Sequence, residues 1–208
     1  MSVYVIVSGV IGALASLCAW FVTNKYWTPK LKIGSKISKH RTGDNKSGFK
    51  YRVKFENRGK RNIIDIEVIA CFRLKGLRSK FPNNWDTFYL PTSSFAYDKV
   101  AILRPASKGY PQSIAEIKIN NYKPFKKGYL HPDIITKANH KALTLEDVME
   151  KHEYEFEIMI LGTNEFSGTR KFFAQKFTKD DIVFGLFNEV GVDVIPDEHD
   201  QESNGTSP

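Results

Sequence analysis

The chain of 208 residues carries 31 Lys and Arg against 23 Asp and Glu, which gives it a net charge of +8 at pH 7. Its two cysteines are too few for the disulfide framework of a small secreted domain. The positive excess suits an anionic membrane or nucleic acid, but the sequence has no recognition helix, RNP motif or zinc finger, so we expect no nucleic-acid partner.

The first predicted element is a transmembrane helix within residues 1–24. The stretch from Val3 to Val22 contains no charged residue and no proline. About 20 residues at 1.5 Å each cover roughly 30 Å, the thickness of the hydrocarbon core of a bilayer. Trp20, Tyr26 and Trp27 stand near its C-terminal end, where aromatic rings favour the headgroup region.

Three other interpretations of this stretch fit less well. A cleaved signal peptide begins with basic residues and has a shorter apolar core. A lipoprotein signal would use Cys18, but Leu17 stands where such signals have a small residue. A buried helix of a soluble domain would not need aromatic rings beside a basic cluster.

The charges on either side of the span predict its orientation. No charged side chain precedes it, whereas six basic residues follow it before the first acid, Asp44. The positive-inside rule therefore predicts a single-pass protein of the plasma or inner membrane, with the N-terminus outside and the C-terminal domain in the cytoplasm. Cys18 in the span and Cys71 in a predicted core strand cannot pair, which agrees with a reducing compartment.

The same basic residues predict contact with lipid. We expect anionic headgroups to bind side chains of residues 25–48, the basic juxtamembrane linker and first strand. These side chains are Lys25, Lys30, Lys32, Lys36, Lys39 and Arg41. The alternative is that they act only as topology signals during insertion.

Small residues within the span predict a surface for helix packing. Ser8, Gly12 and Ser16 recur at every fourth residue and form a ridge against which another helix can pack. The alternative is that such residues are simply common in membrane spans.

Beyond Pro29, the alternation of apolar and polar residues predicts a mainly β domain. Residues 120–142 are predicted to be a long polar connection, and Thr144 with Asp147 to cap one short helix that ends near His152. Residues 49–195 should therefore form a cytosolic β-sandwich, followed by a disordered acidic tail at 196–208. The predicted strands are 30–41, 49–56, 63–75, 86–90, 97–103, 113–119, 155–162, 169–177 and 179–187.

Two blocks of the sequence resemble the cytoplasmic domain of inward-rectifier potassium channels. The block YRVKFENRGKRNIIDIEVIACFRL at 51–74 resembles the first hairpin of that domain, with Asn and Arg between two strands. The block at 143–185 is similar to its later run of short helix, strand opening with Glu, Gly-containing turn and acidic-acidic-Ile close. The resemblance covers residues 49–190 in the same order and implies an immunoglobulin-like β-sandwich.

The chain departs from that family in its membrane part. The channel pore needs two membrane helices around a filter of the TVGYG kind, whereas this chain has one predicted span and no such loop, so it cannot conduct potassium alone. The basic residues that bind phosphoinositides in the family follow its second membrane helix, at a place comparable to that of Lys30, Lys32 and Lys36.

No pattern of residues predicts catalysis or a cofactor. The adjacent acids Glu146/Asp147 and Asp180/Asp181 fit helix capping better than acid–base chemistry. Phosphate-binding, nucleophile-elbow and dinucleotide motifs are absent from the sequence. The scattered histidines predict no metal site, and they are His40, His131, His140, His152 and His199.

These features together predict a membrane-anchored, non-catalytic binding or regulatory module. Its expected partners are a bilayer with anionic headgroups and either another protein or a second copy of the chain. The alternative is an auxiliary or regulatory subunit of an ion-channel-like membrane assembly, which would associate through its span. An enzyme acting at the membrane surface is the third possibility.

Overall fold

The computed structural model describes residues 3–23, 28–41, 48–77, 80–94, 100–108, 111–119, 130–140, 143–189 and 191–197. Within these ranges the chain forms three α-helices and twelve β-strands, so the predicted mainly β class is confirmed. The helices are α1 (Val3–Val22), α2 (Pro132–Asn139) and α3 (Leu145–Lys151). The strands are β1 (Leu31–Ile33), β2 (Ile37–Arg41), β3 (Phe49–Asn57), β4 (Ile63–Lys75), β5 (Trp85–Leu90), β6 (Thr92–Ser94), β7 (Val100–Leu103), β8 (Gln112–Ile117), β9 (Tyr154–Asn164), β10 (Arg170–Phe177), β11 (Ile182–Phe187) and β12 (Val194–Pro196).

The strands form two sheets with the core between them. The order in the first sheet is β12-β11-β2-β3-β8-β6, with β1 also paired to β3. The order in the second sheet is β10-β9-β4-β5, with β7 also paired to β4. The strands β2 and β11 pair in parallel, while the neighbouring β2–β3 and β11–β12 pairs are antiparallel.

Alternating side chains of both sheets fill the core. Tyr51 and Phe55 of the first sheet and Phe72 and Phe156 of the second sheet have at most 1% of their surface exposed. The rings of Phe72 and Phe156 lie 5.3 Å apart between centroids, a tilted arrangement that aromatic pairs favour. Each buried side chain of this size contributes about 1.5–3 kcal/mol to folding. The alternating apolar residues of 49–56 and 63–75 provide such side chains, and the strands predicted there match β3 and β4 closely.

The first predicted strand, 30–41, is divided in two. The strands β1 and β2 both pair with β3, and Gly34 lies between them with its N–H donating to the carbonyl of Lys54 (2.9 Å). A Cβ at Gly34 would stand 2.7 Å from the carbonyl oxygen of Val192, so the close approach of another segment interrupts the strand there. The first sheet therefore begins before residue 49.

The prediction of one short helix and of a connection at 120–142 is wrong, because α2 forms within that connection. Pro132 occupies its first turn, and the side chain of His131 accepts a hydrogen bond from the N–H of Asp133 (3.3 Å). Ile134 and Ala138, four residues apart, are buried against the core. Residues 120–129 lie outside the described part of the chain.

Helix α3 begins at the predicted capping box, which is confirmed. The side chain of Thr144 accepts from the N–H of Asp147 (3.1 Å), and the Asp147 carboxylate accepts from the N–H of Thr144 (3.0 Å). The hydroxyl of Tyr51 donates to the carboxylate of Glu146 and accepts from the N–H of Leu145 (3.1 Å). Burial, followed by the negative charge of Glu146, raises the pKa of Tyr51. This network fastens the start of α3 to the first sheet.

The last strand belongs to the fold rather than to a tail. β12 pairs with β11, and the N–H of Asp197 donates to the carbonyl of Phe184 (3.0 Å). Gly185 has a φ of +151°, and a Cβ there would stand 2.1 Å from the carbonyl oxygen of Ile195, so this hairpin requires glycine. The predicted tail at 196–208 starts inside β12, and residues 198–208 lie outside the described residues.

Helix α1 occupies the stretch predicted to cross a membrane. Its described side chains from Tyr4 to Val22 are exposed, including Ile11 and Leu17 at 62% each. Among the residues that the structure describes, no helix is long and apolar enough to cross a membrane.

Candidate functional site: the basic end of the sandwich

One end of the sandwich gathers four chain segments around the start of β1. The register pairs Leu31, the first residue of β1, with Asn57 at the end of β3. Ile63 at the start of β4 pairs with Leu103 at the end of β7 and with Asn164 at the end of β9. The β3–β4 loop, the β7–β8 loop and the β9–β10 turn therefore meet where the chain coming from α1 enters the first sheet.

The side chain of Asn57 fixes this end. It is 2% exposed, and its amide nitrogen donates to the carbonyl oxygens of Arg61 (2.8 Å) and Leu103 (2.9 Å). Its amide oxygen accepts from the N–H of Gly59 (2.8 Å). Because β3 and β7 belong to different sheets, these bonds hold the β3–β4 loop in place and join the two sheets.

The loops at this end present a cluster of exposed basic side chains, which we name the basic end. Two acids lie among them. The carboxylate of Glu56 pairs with Arg58, and that of Glu165 accepts from the side-chain amide of Asn62 (2.6 Å). Positive charge remains in excess at this end of the molecule. The members of the basic end are Lys30, Arg58, Lys60, Arg61, Arg104 and Lys108.

An exposed aromatic side chain stands within this positive surface. Phe166, in the β9–β10 turn, has 63% of its surface exposed, and the guanidinium of Arg61 lies 5.1 Å from the centre of its ring. Asn164 is 2% exposed, and its side-chain oxygen accepts from the N–H groups of Phe166 and Ser167 at 3.0 Å each. An apolar ring held by a rigid turn among basic groups suits a surface that is both negative and partly apolar.

The predicted lipid-contact residues do not share one surface. Lys30 belongs to the basic end and Lys32 is exposed near it, whereas Arg41 lies at the opposite end of the first sheet, where it pairs with Phe49 in the register. The ammonium of Lys36 pairs with Asp181 (2.8 Å). That of Lys39 pairs with Glu146 (2.6 Å) and lies 4.2 Å from the centre of the Phe49 ring. Lys25 lies outside the described residues.

The predicted helix-packing residues Ser8, Gly12 and Ser16 lie on α1 and are exposed. Spaced by four residues, they share one face of the helix. A Cβ at Gly12 would meet no atom within 4 Å, so the backbone there is open to close approach.

Two of the histidines considered for chemistry flank α2. The side chain of His131 caps α2, and His140 follows its last turn. Burial lowers the pKa of His40 and of His152, which disfavours their charged forms. His199 lies outside the described residues. Among the residues that the structure describes, no group of three or more His, Cys, Asp or Glu side chains could hold a metal ion.

One acid of each adjacent pair, Asp147 or Asp181, serves as a cap. Desolvation opposes ionisation of Asp147, but its hydrogen bonds to Lys137 and Thr144 lower its pKa overall. The pKa of Asp181 is lowered in the same way, since desolvation is outweighed by its hydrogen bonds to Lys36 and Thr178. Both acids thus hold the starts of short helical turns.

No protein-family model matches the sequence, and no curated protein is similar enough to it to be a relative.

Most of the basic end escaped prediction from the sequence. The sequence pattern predicts no lipid contact for Arg58, Lys60 or Arg61 and no role for Phe166. The available signal was the sequence RGKR at a strand end, directly after Asn57. These bases form a larger basic surface only through the strand pairing, which brings Arg104, Lys108 and Phe166 beside them.

We expect replacement of Asn57 by Ala to lower the free energy of unfolding by about 2–3 kcal/mol, because three hydrogen bonds are lost and buried backbone groups are left unpaired. Asn62→Ala, which removes an exposed hydrogen bond to Glu165, should cost less than about 1 kcal/mol. Urea unfolding of the full chain in detergent measures both values. Equal losses in the two variants would contradict the role given to Asn57.

Proposed function

We propose that the chain is a single-pass membrane protein whose cytoplasmic, immunoglobulin-like β-sandwich rests on anionic lipid by its basic end and acts as a non-catalytic interaction or regulatory module. The observation that carries the proposal is the position of the basic end: it surrounds the point where the chain enters the sandwich from α1.

The length and surface of α1 support a membrane span. The helix has 20 residues, and the printed sequence from Val3 to Val22 has no charged side chain. In water, the exposure of so many apolar side chains would be costly, at about 25 cal/mol for each Å² of apolar surface. A bilayer removes that cost.

The geometry of the sheets supports contact between the basic end and the lipid surface. A span that leads into β1 keeps the start of β1 near the membrane, and Pro29 is buried there. Each basic residue close to an anionic surface contributes about 1 kcal/mol, and the effect fades over a Debye length of about 8 Å at physiological salt. The basic end surrounds the start of β1, whereas Lys36 and Lys39 lie further along the chain and pair with Asp181 and Glu146.

The arrangement of the strands supports the immunoglobulin-like part of the proposal. The two sheets enclose one core, and β2 near the start of the chain pairs in parallel with β11 near its end. The segments that resemble inward-rectifier channels correspond to β3–β4 and to α3 through β11. The proposal takes from that family only the fold.

A second candidate function is an auxiliary subunit of an ion-channel-like membrane assembly. The ridge of Ser8, Gly12 and Ser16 favours it, because a helix partner could approach the open backbone at Gly12. Replacement of Gly12 by Ile should abolish association of the span in a membrane reporter assay if this candidate is correct. A span that is monomeric before replacement would exclude it.

The membrane span predicts firm anchoring with a fixed orientation. The full chain should stay in the membrane pellet during alkaline carbonate extraction, and a reporter fused after Pro208 should be active in the cytoplasm. The substitution Leu14→Lys should weaken anchoring, because a charge at the centre of the bilayer costs roughly 2.5–3.5 kcal/mol. Release of the unaltered chain by carbonate, or an external reporter, would contradict the proposal.

The contact with lipid predicts protection of lysines at the basic end. We expect an impermeant acetylating reagent to modify Lys30, Lys60 and Lys108 several-fold more slowly when the full chain is in vesicles with anionic lipid than in neutral vesicles. High salt should remove the difference, because it screens exposed charges.

Lys80 is the matched internal control. It is exposed in the β4–β5 loop, at the far end of the 13-residue strand β4. At about 3.3 Å for each residue it lies about 40 Å from the basic end, well beyond a Debye length. Equal protection of Lys80 and Lys60, or protection that ignores lipid charge, would contradict the predicted contact.

A further inference from the structure

The outer face of the second sheet carries an apolar patch that the core does not use. Phe72 and Leu74 of β4 are fully buried, so the residues that alternate with them face outward. Six outward-facing apolar residues of this sheet are named the outer patch, and they are Ile69, Tyr89, Met159, Leu161, Phe172 and Ala174. Tyr89 is 60% exposed and Phe172 is 51% exposed.

The register makes the outer patch continuous across the sheet. Ala174 of β10 pairs with Met159 of β9, which pairs with Ile69 of β4. One step along the strands on the same face, Phe172 pairs with Leu161. Side chains directly opposite each other on one face are close enough to contact, so these residues form a single surface.

Charges around the outer patch are balanced in sign. Three bases stand against three acids, whereas the whole chain has a net charge of +8. The bases are Arg73, Arg170 and Lys176, and the acids are Glu67, Glu155 and Glu157. Arg73 and Lys176 both pair with Glu155, and Arg170 pairs with Glu67 (3.1 Å). Two strongly basic chains would repel each other on most surfaces, but this face is neutral.

We propose that the outer patch binds a second copy of this chain. A two-fold axis that runs along the strands between β4 and β9 places Ile69 of one copy against Met159 of the other. The same axis places Arg73 against Glu155, because the two residues are paired in the register and stand at the same height on either side of the axis. The face is thus complementary to itself in both apolar and charged residues, as a two-fold interface requires.

Anchoring in one membrane favours this assembly. The strands lead away from the basic end, so the outer patch faces sideways when the basic end meets the lipid. A two-fold axis along the strands then leaves the basic end and α1 of both copies at the same membrane surface. The placement of both copies on one membrane rests on the proposed function. The inference names a second copy of the chain as the partner of the interaction module.

Thiol cross-linking in membranes tests the dimer. In a full chain with Cys18→Ala and Cys71→Ala, Met159→Cys should give a covalent dimer with a short bismaleimide after purification and reconstitution in anionic vesicles. Leu186→Cys is the matched control, because Leu186 is 60% exposed on β11 of the first sheet, and it should give no dimer.

A charge in the outer patch should abolish the dimer. Met159→Lys should lose it in detergent, as measured by sedimentation, while Leu186→Lys should retain the unaltered mass. Thermal unfolding of the two variants serves to separate loss of pairing from loss of fold. If the Met159→Cys chain gives no cross-linked dimer in anionic vesicles while Lys60 is still protected from acetylation, the dimer is overturned and the proposed function stands. Equal cross-linking at both positions would overturn it as well.

Discussion

The hydrogen bonds of the Asn57 side chain are the constraint on which the functional surface depends. A buried amide is costly unless its donors and acceptor are used, and here the amide group bonds to Gly59, Arg61 and Leu103. The partners lie in a loop and at the end of a strand of the other sheet. The positive side chains of both loops therefore stand on a fixed backbone, and Phe166 is held beside them by a second buried amide, that of Asn164.

The distribution of charge distinguishes the surface proposed to bind lipid from the surface proposed to bind a second copy. The basic end carries an excess of positive charge next to the chain segment that leaves α1, whereas the outer patch is apolar and balanced in sign. Electrostatic attraction to anionic lipid acts over about 8 Å and needs no detailed fit, while pairing of sheet faces needs complementary shapes and matched charges. The two surfaces face different directions, so a membrane and a second copy can be bound at once.

The sequence predicted the elements whose side chains alternate cleanly between core and solvent, such as β3 and β4. It did not predict α2, because this short helix buries only Ile134 and Ala138 and its signals lie in a polar stretch. It also placed Lys36 and Lys39 at the lipid, since a linear run of bases does not reveal that the fold sets them against Asp181 and Glu146. The basic end was missed because its members are distant in sequence and become neighbours only through strand pairing.

The depth of two spin labels tests the central claim most directly. Labels at Glu165→Cys, beside Phe166, and at Asn83→Cys, in the β4–β5 loop at the opposite end, are compared in the full chain in anionic vesicles with both native cysteines replaced by Ala. The account predicts that the label at 165 collides more with lipid-soluble oxygen and less with a water-soluble nickel complex than the label at 83. Equal collision rates at both positions, or greater oxygen contact at 83, would contradict it.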